Sequence, residues 1–165
     1  MLTRLRLNQT NRPLEVLQHW RDYGNLLLSP PYQRGDVWGR TRRVNYIRSL
    51  LLGIPMASII VNDRFGADWP DDLSVAVIDG KQRCTTLLMW LDGELSVPRE
   101  WLSDTASESC AATVCWDDLT LASQRRFQNM PLPFSEGQLP NLAAEQEVFE
   151  LVNYGGVPQG EQDLD

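Results

Sequence analysis

The residues best suited to chemistry lie together in Val77-Ile-Asp-Gly-Lys-Gln-Arg-Cys-Thr-Thr-Leu. The β-branched run Ser74–Ile78 reads as a buried strand and Asp79-Gly80 as a tight turn. The next residues form a first helical turn carrying Lys81, Gln82 and Arg83, followed by Thr85 and Thr86. A helix N-terminus offers backbone N–H groups and roughly half a positive charge, so it attracts phosphate, and two cations there strengthen the pull. Gly80 lets the chain pass close to a ligand, Arg83 can grip phosphate with two parallel hydrogen bonds, and the threonines offer hydroxyls. Asp79 is suited to hold Mg²⁺ or act as a base, and Gln82 to orient a water. The same letters also fit a capping box, with Asp79 as N-cap and Gln82 three residues on. They are not a P-loop, because the earlier glycine of G-x-x-x-x-G-K-[ST] is missing.

A second cluster follows Pro30-Pro31, which stiffens an extended approach to Tyr32, Gln33 and Arg34 on a loop. Between Ser29 and Arg48 five arginines face only Asp36, which makes this the chain's plausible anion-binding patch. Arg40 and Arg43 also read as a solvated helix face, whereas Arg34, in the loop, reads as functional.

The composition excludes several other chemistries. Cys84, Cys110 and Cys115 lack a second Cys or His pair for a zinc site, and His19 is the only histidine, so a His-Asn-His metal nuclease centre cannot be built. Net charge is −7, against non-specific coating of nucleic acid, but residues 1–64 hold ten Arg against four acids and residues 65–165 hold five bases against eighteen acids. The only lysine is Lys81. At 165 residues, with 42% hydrophobic and 22% charged residues, one folded domain over 1–165 is expected, with an acidic tail from about 157 to 165. The start lacks the apolar centre of a signal peptide and no run is long enough to span a bilayer, so a cytoplasmic protein with no membrane partner is expected.

Positioning falls to interspersed helices and strands, an α+β arrangement. Pro13 opens a predicted helix over Leu14–Tyr23, and Val44, Ile47, Leu50 and Leu51 recur at helical spacing over Thr41–Leu52. Ser58–Val61 and Ser74–Ile78 read as strands, Lys81–Leu91 as a helix and Val97–Leu102 as a connector. Thr113–Trp116 reads as a strand, and Leu121–Phe127 and Glu145–Val152 as helices, the last closing at Asn153 and Gly155.

Four blocks in order, Pro31-Tyr-Gln-Arg-Gly-Asp-Val-Trp, Ile47-Arg-Ser-Leu-Leu-Leu-Gly-Ile-Pro, Val77-Ile-Asp-Gly-Lys-Gln-Arg and Val148-Phe-Glu-Leu-Val-Asn-Tyr-Gly-Gly, resemble the N-terminal domain of GmrSD-type restriction endonucleases. That domain is similar to the ParB/sulfiredoxin fold, which implies a small mixed sheet flanked by helices. The resemblance implies binding and hydrolysis of a nucleoside triphosphate with Mg²⁺ at the D-G-Q-Q-R block, which falls on Asp79, Gly80, Gln82 and Arg83, with Lys81 replacing the first glutamine. It places Tyr32, Gln33 and Arg34 beside the same pocket and matches Asn153 to the asparagine of the late block. It also implies a role in restricting phage DNA, with DNA and a separately encoded nuclease subunit as partners, because no His-Asn-His domain follows Asp165. An oligomer and a non-enzymatic regulator that contacts DNA or a partner both remain open, as does thiol redox chemistry at Cys84 by analogy with sulfiredoxin.

Overall fold

The computed structural model describes residues 5–33, 35–65, 69–102, 105 and 111–154. Arg34, Cys110 and the acidic tail lie outside the described residues.

Five strands form one mixed sheet in the order β1-β7-β3-β4-β2. These are β1 Asn8–Pro13, β2 Leu26–Leu27, β3 Ile59–Asp63, β4 Val75–Asp79 and β7 Pro131–Gly137. β1 runs antiparallel to β7 and β3 antiparallel to β4, while β7 with β3 and β2 with β4 are parallel. A separate two-stranded ribbon pairs β5 Val97–Pro98 with β6 Thr113–Val114. The helices are α1 Glu15–Asp22, α2 Arg40–Leu51, α3 Lys81–Leu91, α4 Leu121–Gln128 and α5 Leu142–Tyr154. The architecture is α+β, as the alternation of periodicities predicts.

Alternation along the central strands sends side chains to two faces. Ile59, Val61, Val75 and Val77 join Leu17, Ile47, Leu87 and Trp90 in the main core beneath the helices. Ile78 points to the other face, where it meets Leu139 and Val148 under α5. Trp90 anchors the main core, fully buried, with Trp116 edge-on at 6.3 Å and Phe127 at 5.6 Å.

Three strands depart from the sequence expectation. Pro13 does not start the first helix; it ends β1, opposite Pro131 of β7, and Leu14 precedes the helix in its place. β1 is polar throughout and β7 contains Pro131 and Pro133, so neither carries an ordinary strand signature. The prolines are tolerated because pairing of β7 with β3 begins only at Phe134; before that point one side of β7 is an edge that needs no donor. Thr113–Trp116 is a strand only to Val114, after which Trp116–Asp118 turns into a 3₁₀ segment.

Arg43 is not part of a solvated helix face. It is 4% exposed, with Nε donating to the Trp38 carbonyl, Nη1 to Thr86 Oγ1 at 2.9 Å and Nη2 to the Asp36 carboxylate. Arg43 therefore ties the loop before α2 to α3, through its ion pair with Asp36 and its bond to Thr86.

Trp90 Nε1 is buried with no hydrogen-bond partner among the described atoms. Trp90→Ala is expected to cost ~3–5 kcal/mol through the cavity it opens. Trp90→Phe is expected to cost only ~1–2 kcal/mol, because it also removes an unsatisfied donor. Urea denaturation of the two variants checks the difference.

Candidate functional site

The site forms where β4 ends and α3 begins with almost nothing between them. Asp79 is the last strand residue, Gly80 the N-cap and Lys81 the first helical residue. Gly80 adopts φ +102°, the left-handed region that favours glycine, and a Cβ there would stand 3.2 Å from both Ile59 Cγ atoms and from Arg83 Nη2. Among the described residues no side chain caps α3, and the capping box between Asp79 and Gln82 is not formed. Asp79 Oδ2 instead accepts from Arg83 Nη2 at 2.6 Å, and the Gln82 amide is turned away from the helix end. An uncapped helix N-terminus beside Lys81 and Arg83 suits an anion.

A cavity of about 240 Å³ opens over this junction. Asp79, Gly80, Lys81, Gln82 and Arg83 form one wall, Gln33 and the 35–38 loop the second, and Phe149 with Asn153 of α5 the third. The Gln33 amide donates to the carbonyls of Val77 and Ile78, which binds its loop to β4. Asn153 Nδ2 donates to the Phe149 carbonyl at 2.7 Å. These carbonyl partners fix both amides with nitrogen toward the main chain. Trp38 stacks edge-on with Tyr46 and lies under the Arg42 guanidinium, 5.1 Å from it, so the second wall carries a fixed aromatic.

Two of these residues hold protein as well as facing the cavity. Gln82 accepts from the backbone N–H of Val37 at 3.4 Å and of Trp38 at 3.3 Å, and donates to the Gly35 carbonyl at 3.2 Å. Arg83 donates through Nη1 to the carbonyls of Ala57 and Ser58, joining α3 to the approach to β3. Gln82 thus clamps the 35–38 loop, and Arg83 closes the floor.

The structure therefore brings Gln33, Asp79, Gly80, Lys81, Gln82, Arg83 and Asn153 around one cavity and separates Tyr32, Thr85 and Thr86 from it. Thr86 is fully buried, donating to the Gln82 carbonyl at 2.7 Å and accepting from Arg43. Thr85 sits one position further round α3 and does not line the cavity. Tyr32 points behind the wall to Glu145 at 3.1 Å, where burial and that carboxylate push its phenol above the usual value. Arg34 lies outside the described residues. Cys84 is fully buried and its thiol is pushed up to about 12 by that burial, so it lacks the exposed thiolate that redox chemistry needs. Among the described residues no group of three His, Cys, Asp or Glu could hold a metal by itself, so Asp79 would share any Mg²⁺ with ligand oxygens.

Phe149, Trp38 and Glu145 were not legible as site residues. Phe149 and Trp38 lie within the quoted blocks but carry no sequence sign of a cavity role, and a glutamate on a helix surface carries no sequence sign of burial.

The family model described as GmrSD restriction endonuclease, N-terminal domain, matches residues 14–164, and the chain belongs to that family. No curated protein matches the chain. Among solved structures, the crystal structure of the C-terminally truncated chromosome-partitioning protein ParB from Caulobacter crescentus, complexed with CTP-gamma-S, is similar to it at 12% identity and a TM-score of 0.47. The match covers 92% of this chain and 55% of that one, so the chain spans about half the length of that structure. Among the described residues no helix is long and apolar enough to cross a membrane.

Gly80→Ala is expected to destabilise the fold by ~1–2 kcal/mol, measured by thermal unfolding, because it strains the backbone and crowds Ile59 and Arg83. A thiol reagent at pH 8 is expected to leave Cys84 unmodified in the folded protein and to label it after denaturation, as read by mass spectrometry.

Proposed function

We propose that this domain binds a nucleoside triphosphate with Mg²⁺ in the cavity at the head of α3, hydrolyses it slowly, and serves in the cytoplasm as the regulatory module of a DNA-restricting defence system. The observation that carries the reading is the α3 N-terminus, with Gly80 leaving room and Lys81 and Arg83 supplying charge, inside a cavity that also has aromatic walls. Membership of the restriction endonuclease family supports it.

In this reading the α3 N–H groups, Lys81 and Arg83 hold the phosphates, and Phe149 and Trp38 border the remainder of the nucleotide. Asp79 and phosphate oxygens would hold Mg²⁺, which supplies charge neutralisation when bound. Gln82 positions the attacking water once the 35–38 loop yields its amide. The same engagement of Gln82 favours a second reading, a non-hydrolysing regulator in which occupancy alone signals to DNA or a protein partner.

Calorimetry with GTP, ATP and CTP in Mg²⁺, with phosphate release assayed in the same samples, separates the readings. Wild type is expected to bind, and Lys81→Ala and Arg83→Ala to weaken binding by about tenfold or more, equivalent to losing one charge-assisted hydrogen bond. Because Arg83 also supports the floor, Lys81→Ala is the cleaner variant. Binding with phosphate release supports hydrolysis, and binding without it supports the second reading. No binding by folded wild type overturns both nucleotide-dependent readings.

A further inference from the structure

The most completely buried charge in the described residues lies outside the cavity. Glu145, on the first turns of α5, is 0% exposed. Its Oε1 accepts from Asn62 Nδ2 at 2.7 Å and Arg64 Nε at 2.8 Å, and its Oε2 accepts from Arg64 Nη2 at 2.8 Å and the Tyr32 hydroxyl at 3.1 Å. Arg64 is held in turn by Asp71 at 3.0 Å and lies over the Trp69 ring at 4.5 Å. Asn62, also fully buried, uses its Oδ1 to accept from the Leu139 backbone N–H at 2.6 Å, fixing the chain just before α5.

Little else holds α5. Val148 is the only other buried residue on it, and the apolar patch beneath is small. Leu151 and Tyr154, near its end, are 64% and 85% exposed. Yet α5 supplies Phe149 and Asn153 to the cavity, and Tyr32, which reaches Glu145 and packs 5.3 Å from Phe149, immediately precedes Gln33 on the opposite wall. One carboxylate therefore joins two walls. Buried ion pairs add little net stability against apolar packing but impose a single geometry, and removing one partner strands the other.

We propose that Glu145 and Tyr32 are positioning residues for the nucleotide cavity. The Glu145 network docks α5, the Tyr32 bond is its link to the opposite wall, and a nucleotide binds only when α5 is docked against that wall. The inference rests on the nucleotide reading above. Apparent affinity then falls by the fraction of molecules in which α5 is docked, and a bound nucleotide must in return stabilise α5.

The test combines nucleotide calorimetry with amide hydrogen exchange on the full chain, for wild type, Tyr32→Phe and Glu145→Gln. Tyr32→Phe removes one hydroxyl and keeps the ring, so it remains informative if Glu145→Gln fails to fold. In wild type, nucleotide is expected to slow exchange at Val148–Asn153. Tyr32→Phe is expected to speed exchange there, leave β3 and β4 unchanged, and weaken affinity by about three- to tenfold, with Glu145→Gln weaker still. Trp90→Phe, remote from this network, should lower global stability without altering affinity. Nucleotide bound equally by wild type and both variants, or exchange of α5 unaffected by them, overturns this inference alone. No nucleotide bound by folded wild type overturns the nucleotide reading and this inference together.

Discussion

Everything about the site depends on the lack of a spacer between β4 and α3. A strand in the middle of a sheet must keep its side chains in register, and a helix that starts on the next residue but one must turn sharply. The left-handed geometry at Gly80 reconciles the two. That turn aims the α3 N-terminus past the end of β4, brings Arg83 back onto Asp79 and the carbonyls before β3, and leaves Ile59 where a side chain at residue 80 would stand. The cavity is what remains above the junction once Gln33, the 35–38 loop and α5 have packed around it.

The legible parts were those whose identity is set by local pattern. α3, α2 and the two central strands carry strong periodicity, and their observed bounds lie within a residue or two of the expected ones. The D-G-K-Q-R block was also legible, because a strand, a glycine and a cation-rich helix start are a local signature. β1 and β7 were not, since each is a strand only by virtue of its partner: a polar segment and a proline-bearing one have no reason to extend until they meet. Tyr32, Thr86 and Gln82 illustrate the same limit for side chains. Their positions near the site were readable, but whether a hydroxyl or amide faces the cavity or the protein depends on Glu145, Arg43 and the 35–38 backbone, which are distant in sequence.

The charge asymmetry of the chain resolves into internal pairing. Arginines of the basic first part reach acids elsewhere: Arg12 meets Glu136, Arg21 meets Asp92, and Arg64 meets Glu145 and Asp71. Arg42 and Arg48 lie over Trp38 and Trp101. The excess of arginine in the first part is thus in large part a set of joints between segments. Exposed pairs such as Arg12–Glu136 are worth little individually, but Arg43 and Arg64 are buried, and each loop or helix they hold is fixed in one place.

The edges of the main sheet carry a consequence for assembly. One edge, β2, is only two residues long; the other, β1, is polar and ends in Pro13. Short, polar and proline-terminated edges discourage strand addition, so another polypeptide gains little by extending this sheet. A protein that meets this domain therefore has to read side chains on helices and loops rather than borrow backbone hydrogen bonds, and its recognition becomes a matter of surface chemistry that single substitutions can rewrite.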